Sequence, residues 1–259
     1  MDVPVRFRLP VHSIQRSAGP LQAGFSYCIP PIPRSFYMGR KLYQTVIFDM
    51  DGVLTDSEPL HVQAEKETFA SFGVTLKPSD LYRYMGRTPR ILIQGIIEQY
   101  GLNIHADALY PRHSERLRNL YRSRAEPIPG ALEFLRRCLR QGLKLGLASS
   151  SEMNLIRIVL QKFQLKDSFH AVTSGDEVGR VKPDPDIFLL TAKKLNCPPK
   201  RCAVIEDSGA GVRAAKAAGM FCVGFKGINS PEQDLSPADI QVDDFRSWDG
   251  YPLLSEGVR

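Results

Sequence analysis

From residue 128 to 225 the sequence alternates short apolar, β-branched runs with segments long enough to be helices, and this rhythm constrains the fold more than any other feature. Pro129-Gly130 opens a helical stretch to about 141. Then 144–148 reads as a strand, 152–163 as a helix, 170–173 as a strand, 185–195 as a helix and 202–205 as a strand. A helix at 211–218, a strand at 221–225 and a short strand near 240–242 complete the series. Apolar strands alternating with helices predict a parallel sheet covered on both faces and joined by right-handed crossovers. One further strand, Val46-Ile47-Phe48, stands well upstream. Three helix-length segments, 61–72, 90–100 and 106–121, separate it from the rest with no strand-like run among them. The expected fold class is α/β: a doubly wound parallel sheet with a small helical module inserted after its first strand.

The expected organisation is an extension over 1–40, the first strand and its loop over 41–56, the helical module over 57–127, the remaining core over 128–246 and a C-terminal tail over 247–259. The chain carries a net charge of +6, which invites a nucleic-acid reading. Residues 1–44 account for +5 of that charge, so the other 215 residues are nearly neutral and show no basic stripe interleaved with aromatics. Six prolines break the same segment, leaving it neither helix nor strand of any length. Three readings of it stay open: a targeting leader, a tail outside the fold, or residues ahead of a true start at Met38. No apolar run approaches the roughly 18 residues that span a bilayer. Five scattered cysteines without CxxC spacing give neither a disulfide framework nor a zinc site, which fits a reducing, cytoplasmic setting, with organelle targeting by 1–40 left open.

In a sheet of this kind ligands bind beyond the carboxyl ends of the strands, so the residues just past each strand belong together. Asp49 and Asp51 follow the first strand, Ser149, Ser150 and Ser151 the next, and Glu206, Asp207 and Ser208 a later one, while Lys182 precedes the helix near 185. Each has a plainer reading: turn chemistry for 49–52, helix caps for 149–151 and 206–208, a solvated loop for Lys182. Four such coincidences at four strand ends are improbable together. Carboxylates, a lysine and hydroxyls converging on one edge suit a hard divalent cation and a phosphate.

FDMDGVLTDSE at 48–58, LASSS at 147–151, KPDPDIF at 182–188 and VIEDSGAGVRAAKAAG at 204–219 resemble, in order, the four motifs of the haloacid dehalogenase-like hydrolase superfamily. The resemblance spans about 44–225 and is closest to the subfamily of β-phosphoglucomutase and small sugar-phosphate phosphatases. It implies a Rossmann-like core with an inserted helical cap, Mg2+ as cofactor and a small phosphorylated metabolite as substrate. No nucleic acid or membrane partner is implied, and a monomer is expected. By the same resemblance Asp49 is the nucleophile that becomes an aspartyl phosphate, and Asp51 is the general acid and base. Asp49, Asp51, Glu206 and Asp207 would hold the metal, and Ser149, Ser150 and Lys182 the phosphate. His61, Arg87 and Arg90 are the expected cap contacts to substrate. The run Arg112, Arg116, Arg118, Arg122 and Arg124 reads as a solvated helix face. Met153 stands where close relatives of the mutase often carry a polar residue, which disfavours mutase chemistry. The activity expected is phosphatase; a phosphomutase and an idle binding protein of the same fold are the alternatives. A receiver-like signalling domain also pairs a phosphorylated Asp with a Lys, but has no inserted helical module and no Asp49/Asp51 doublet.

Overall fold

Six short strands form one sheet, all parallel: β1 Thr45–Phe48, β2 Lys144–Ser149, β3 Ala171–Ser174, β4 Cys202–Glu206, β5 Phe221–Phe225 and β6 Ile240–Val242, in the order β3-β2-β1-β4-β5-β6. The computed structural model describes residues 42–84, 89–227 and 233–254. The extension expected over 1–40 and the loop 85–88, with Arg87, lie outside the described residues. Because successive side chains leave a strand on opposite faces, Val46 and Phe48 enter one buried cluster and Ile47 the other. Helices α5 (Ala131–Arg140) and α6 (Met153–Lys162) cover the first face, and α7 (Asp186–Lys194) and α8 (Gly209–Ala217) the second. Strand order reverses at β1, between β2 and β4, which makes the carboxyl end of β1 the crevice of the sheet.

Four helices intervene between β1 and α5: α1 Glu58–Ala70, α2 Pro78–Tyr82, α3 Pro89–Tyr100 and α4 Ala106–Arg124. They have an apolar cluster of their own, built on Phe69, Leu81, Ile93, Ile96 and Leu109. The chain leaves and re-enters the sheet layer at adjacent points, where Asp56 N donates to Glu126 O (3.1 Å) and Ile128 N to Leu54 O (3.0 Å). Helix α4 belongs to both bodies. Leu109 packs among the inserted helices, whereas Leu117, Leu120 and Tyr121 pack in the core of the sheet. Helix α1 starts at Glu58 rather than 61, since Pro59 sits in the first turn, where a missing N–H does no harm.

The segment expected as a tail from 247 is a correction: residues 247–254 close over the sheet. Trp248 stacks on Phe134 with ring centroids 4.5 Å apart, and Leu253 and Leu254 are buried. Arg137 anchors the turn through the carbonyls of Trp248 and Asp249. The physical reason is the Phe134 ring of α5, which meets Phe48 of β1 edge-on and is further buried by Phe245 and Trp248. Among the described residues no helix is long and apolar enough to cross a membrane.

Candidate active site

Strand β1 runs out at Phe48, and the next residue, Asp49, is held by its own N–H on Ile205 O of β4 (3.0 Å). Its carboxylate faces Lys182. Lys182 Nζ donates to Asp49 Oδ1 (2.5 Å), to Glu206 Oε1 (2.7 Å) and to Ala148 O (3.3 Å), so one ammonium joins the ends of β1, β2 and β4. All three side chains are buried, Lys182 to 7% exposure and Glu206 to 1%. Burial pushes Asp49 up to about 8; Lys182 opposes the rise, while Glu206 and Asp51 add to it. Burial alone would lower Lys182, but the carboxylates of Asp49 and Glu206 outweigh it and keep the ammonium charged.

Two glycines make room for the acids. Gly52, at φ +78°, lies so close to Asp207 that a Cβ there would fall 1.9 Å from Asp207 Oδ2. A Cβ on Gly211 would fall 1.7 Å from Glu206 Oε1. The Ser208 N–H and hydroxyl each donate to Glu206 Oε2 (2.9 Å), and the same hydroxyl caps α8 by accepting from Gly211 N (3.0 Å).

Asp51 is held from both sides. Tyr121 Oη donates to its Oδ1 (2.5 Å), and Ser151 Oγ (2.7 Å) and Ser149 Oγ (3.4 Å) donate to its Oδ2. His61 Nε2 lies 3.0 Å from Tyr121 Oη. A phenol has one hydrogen, and Asp51 receives it, so the network assigns the other hydrogen of this chain to His61 Nε2. Burial first, then Asp51, raises Tyr121 well above the ordinary phenol range, which keeps it a donor.

These groups border a cavity of about 580 Å3 between the sheet edge and the inserted helices. Asp49, Asp51, Ser150, Lys182, Glu206, Asp207 and His61 all line it. Ser149 does not: its hydroxyl is buried beneath the cavity, accepting from Ser151 N and donating to Asp51. Arg90, expected at the substrate, is not among the lining residues; it pairs with Asp107 and stacks over Tyr110, 4.3 Å from the ring centroid. Arg112, Arg122 and Arg124 are exposed as expected, whereas Arg118 bonds Glu152 (2.8 Å) and ties α4 to the start of α6. Sequence reasoning missed Tyr121, which reads as an ordinary core aromatic on α4, as well as Glu65 and His113, and it placed Ser151 at the strand end without giving it a role of its own. A charged residue at the inward spacing of α1 is the only trace Glu65 leaves in the sequence.

The cluster places four carboxylates, those of Asp49, Asp51, Glu206 and Asp207, around one buried ammonium. Among the described residues no three His, Cys, Asp or Glu side chains are gathered into a metal cage. Mg2+ does not need one, since it takes one or two carboxylates, keeps several waters and shares substrate phosphate oxygens. The all-oxygen donor set, the surplus of negative charge and the space that Gly52 leaves for Asp207 fit such an ion.

Residues 46–225 match the family model described as haloacid dehalogenase-like hydrolase. Hexitol phosphatase B of Escherichia coli strain K12 is 34% identical over 199 residues, covering 76% of this chain and 88% of its own length. Protein SUPPRESSOR OF QUENCHING 1, chloroplastic, of Arabidopsis thaliana is 36% identical over 204 residues; this chain spans only 19% of its length. The crystal structure of CbbY from Rhodobacter sphaeroides in complex with phosphate superposes with a TM-score of 0.70 at 26% identity, covering 79% of this chain and 96% of that one.

Proposed function

The chain belongs to the haloacid dehalogenase-like hydrolases, in the subfamily of β-phosphoglucomutase and the sugar-phosphate phosphatases, and is a phosphoric monoester hydrolase; we propose that it hydrolyses small phosphorylated metabolites, sugar phosphates foremost, through an aspartyl phosphate with Mg2+. The observation that carries this reading is the Lys182 ammonium spanning Asp49 and Glu206, with Asp51 fixed beside them at the mouth of one cavity.

A carboxylate attacks a phosphate dianion only where the charge between them is neutralised. Lys182 supplies part of that neutralisation, and Mg2+, held by Asp49 and Asp207 with Asp51 and Glu206 nearby, supplies the rest when bound. Asp49 attacks phosphorus and the ester oxygen leaves, taking a proton from Asp51. Asp51 then removes a proton from water, whose oxygen attacks the phosphorus, and Asp49 and inorganic phosphate are released. Ser150 and Ser151, just before α6, line the same cavity as Asp49 and would donate to the phosphate oxygens. Hydrolysis is favoured over phosphomutase chemistry because a mutase must also grip a distal phosphate, and the basic side chains among the described lining residues, histidines apart, are Lys182 and Lys66 at the rim.

The test is phosphate release from a panel of phosphorylated sugars and polyols with and without Mg2+, repeated on Asp49→Asn. Turnover that needs Mg2+ and disappears in the variant supports the reading. Turnover surviving Asp49→Asn, or isomerised product in place of free phosphate, overturns it.

A further inference from the structure

The half of the cavity remote from Asp49 is polar in a way the chemistry above does not use. Helices α1 and α4 run antiparallel along it: His61 meets Tyr121 near the sheet, and two turns on Thr68 Oγ1 meets His113 Nδ1 at 3.5 Å. At 1.5 Å per residue Glu65 lies about 6 Å beyond the first tier, and the Thr68–His113 tier about 10–12 Å beyond it. Here Glu65, His113 and Ser114 line the cavity with Leu81, Leu92 and Leu117. Two of these polar groups are costly where they stand. His113 is 1% exposed, and its Nε2 is buried with no hydrogen-bond partner. Glu65 is 8% exposed and makes no hydrogen bond to another described residue. A buried polar group left unsatisfied costs about 1–3 kcal/mol, so an orphaned His113 nitrogen and a desolvated Glu65 carboxyl in the wall of one cavity call for a ligand.

We infer that Glu65 and His113 form a distal subsite that hydrogen-bonds the uncharged hydroxyls of an extended polyol or open-chain sugar whose phosphate sits at Asp49. The inference deepens the proposed phosphatase reading and rests on it for the position of the phosphate. Burial lowers His113 to about 4, with His61 and Arg116 adding to the shift, so at neutral pH its ring offers one donor or acceptor and no charge. Burial and the neighbouring Glu58 push Glu65 up to about 8, so it too is mainly uncharged at pH 7, able both to donate and to accept. Neutral donor-acceptor groups suit hydroxyls; a second phosphate would require cations. The leucines match the C–H faces of a carbon chain, and the two-tier spacing matches a chain of about five or six carbons better than a two-carbon ester.

The experiment compares a six-carbon polyol monophosphate with n-hexyl phosphate, which has the same reach without hydroxyls, and with a hexose bisphosphate. Binding is measured by calorimetry on full-length Asp49→Asn with Mg2+, and phosphate release on the unaltered protein. The polyol phosphate is expected to bind about 10- to 100-fold more tightly than the hexyl ester, as two neutral hydrogen bonds allow. Adding Glu65→Leu or His113→Leu should bring the ratio to within about threefold. Should either variant fail to fold, Glu65→Gln and His113→Gln, which displace the donors and acceptors, should each cut the ratio by about threefold or more. Absence of the preference, its persistence in the variants, or tighter binding of the bisphosphate overturns the subsite. Preferential binding without phosphate release from any ester supports the subsite and overturns the hydrolytic reading instead.

Discussion

Tyr121 Oη donates to Asp51 Oδ1 at 2.5 Å, so a residue near the end of α4 fixes a side chain at the end of β1, 70 positions earlier in the chain. The hydroxyl is fully buried and is itself met by His61 from α1. The orientation of Asp51 therefore depends on how the inserted helices sit over the sheet, which gives those helices a positioning role as well as a covering one. Tyr121→Phe keeps the ring and its packing and removes only the hydrogen bond. A misplacement of about 1 Å can cost on the order of 100-fold, so kcat for phosphate release should fall about 10- to 100-fold with KM nearly constant, and the pH profile of kcat should shift. The net loss of one hydrogen bond, about 1 kcal/mol, limits the fall in Tm. A kcat within twofold of the unaltered protein would show that Ser151 holds Asp51 unaided.

Gly52 offers a test of Asp207 that leaves every acidic residue in place. Its φ of +78° is nearly that of Gly73, at +76°, but a Cβ on Gly73 meets nothing within 4 Å, whereas one on Gly52 strikes Asp207. Both Gly→Ala changes carry a left-handed backbone penalty of about 1–2 kcal/mol. Only Gly52→Ala should also displace the carboxylate, weakening Mg2+ activation by at least about tenfold. Titrating turnover against Mg2+ for the two variants separates strain from displacement: equal behaviour would remove Asp207 from the metal site.

The sheet and the site were legible because the short strands are mainly apolar and β1, β2 and β4 are followed at once by polar chemistry, with Lys182 just ahead of α7, so Asp49, Asp51, Lys182, Glu206 and Asp207 could be gathered from order alone. Helix α2, five residues long, is too short to show a period and was not expected. Tyr121, Glu65 and His113 were not legible for another reason. Their significance lies in which neighbours are buried beside them, and that is decided by the antiparallel pairing of α1 with α4, two helices separated in the chain by α2 and α3. The packing of Trp248 on Phe134 escaped on the same ground, since pattern marks a residue as apolar but not which face lacks a cover.

Lys182 is the only basic side chain bonded to Asp49 and Glu206 among the described residues, and all three are almost wholly removed from water. Lys182→Met preserves much of the side-chain volume but leaves two carboxylates buried without a counter-charge. Breaking such a pair from one side typically costs about 3–5 kcal/mol, so this variant should lose both turnover and Tm near neutral pH. The deficit should widen as pH rises past about 8, because Asp49, raised to about 8 even beside Lys182, holds its proton to still higher pH without that charge while the unaltered protein ionises. Thermal melts between pH 6 and 10 check it; a pH-independent deficit would mean that lost packing, not charge, is responsible.

Glu65 works against stability where it stands. Burial, reinforced by Glu58 on the same helix, raises its carboxyl from 4.5 to about 8 in the folded chain. The unfolded chain releases that proton near its ordinary value, so below about 4.5 the two states hold it equally. Between about 4.5 and 8 the unfolded state alone gains from ionisation, and stability is lost as pH rises through that window. Above it the penalty is constant. Glu65→Gln cannot ionise and should melt with the unaltered protein near pH 4.5 but above it at pH 8. The gap should reach up to about 4 kcal/mol, since each pH step of one across the window contributes at most about 1.36 kcal/mol. If Glu65 reads substrate hydroxyls, the same variant should gain this stability while losing discrimination between polyol and alkyl phosphates. Melting curves across pH 4.5 to 9 decide the first half: a Tm gap that does not widen over that range would place an ionised, solvated carboxylate at position 65 and remove the reason for assigning it to the cavity wall.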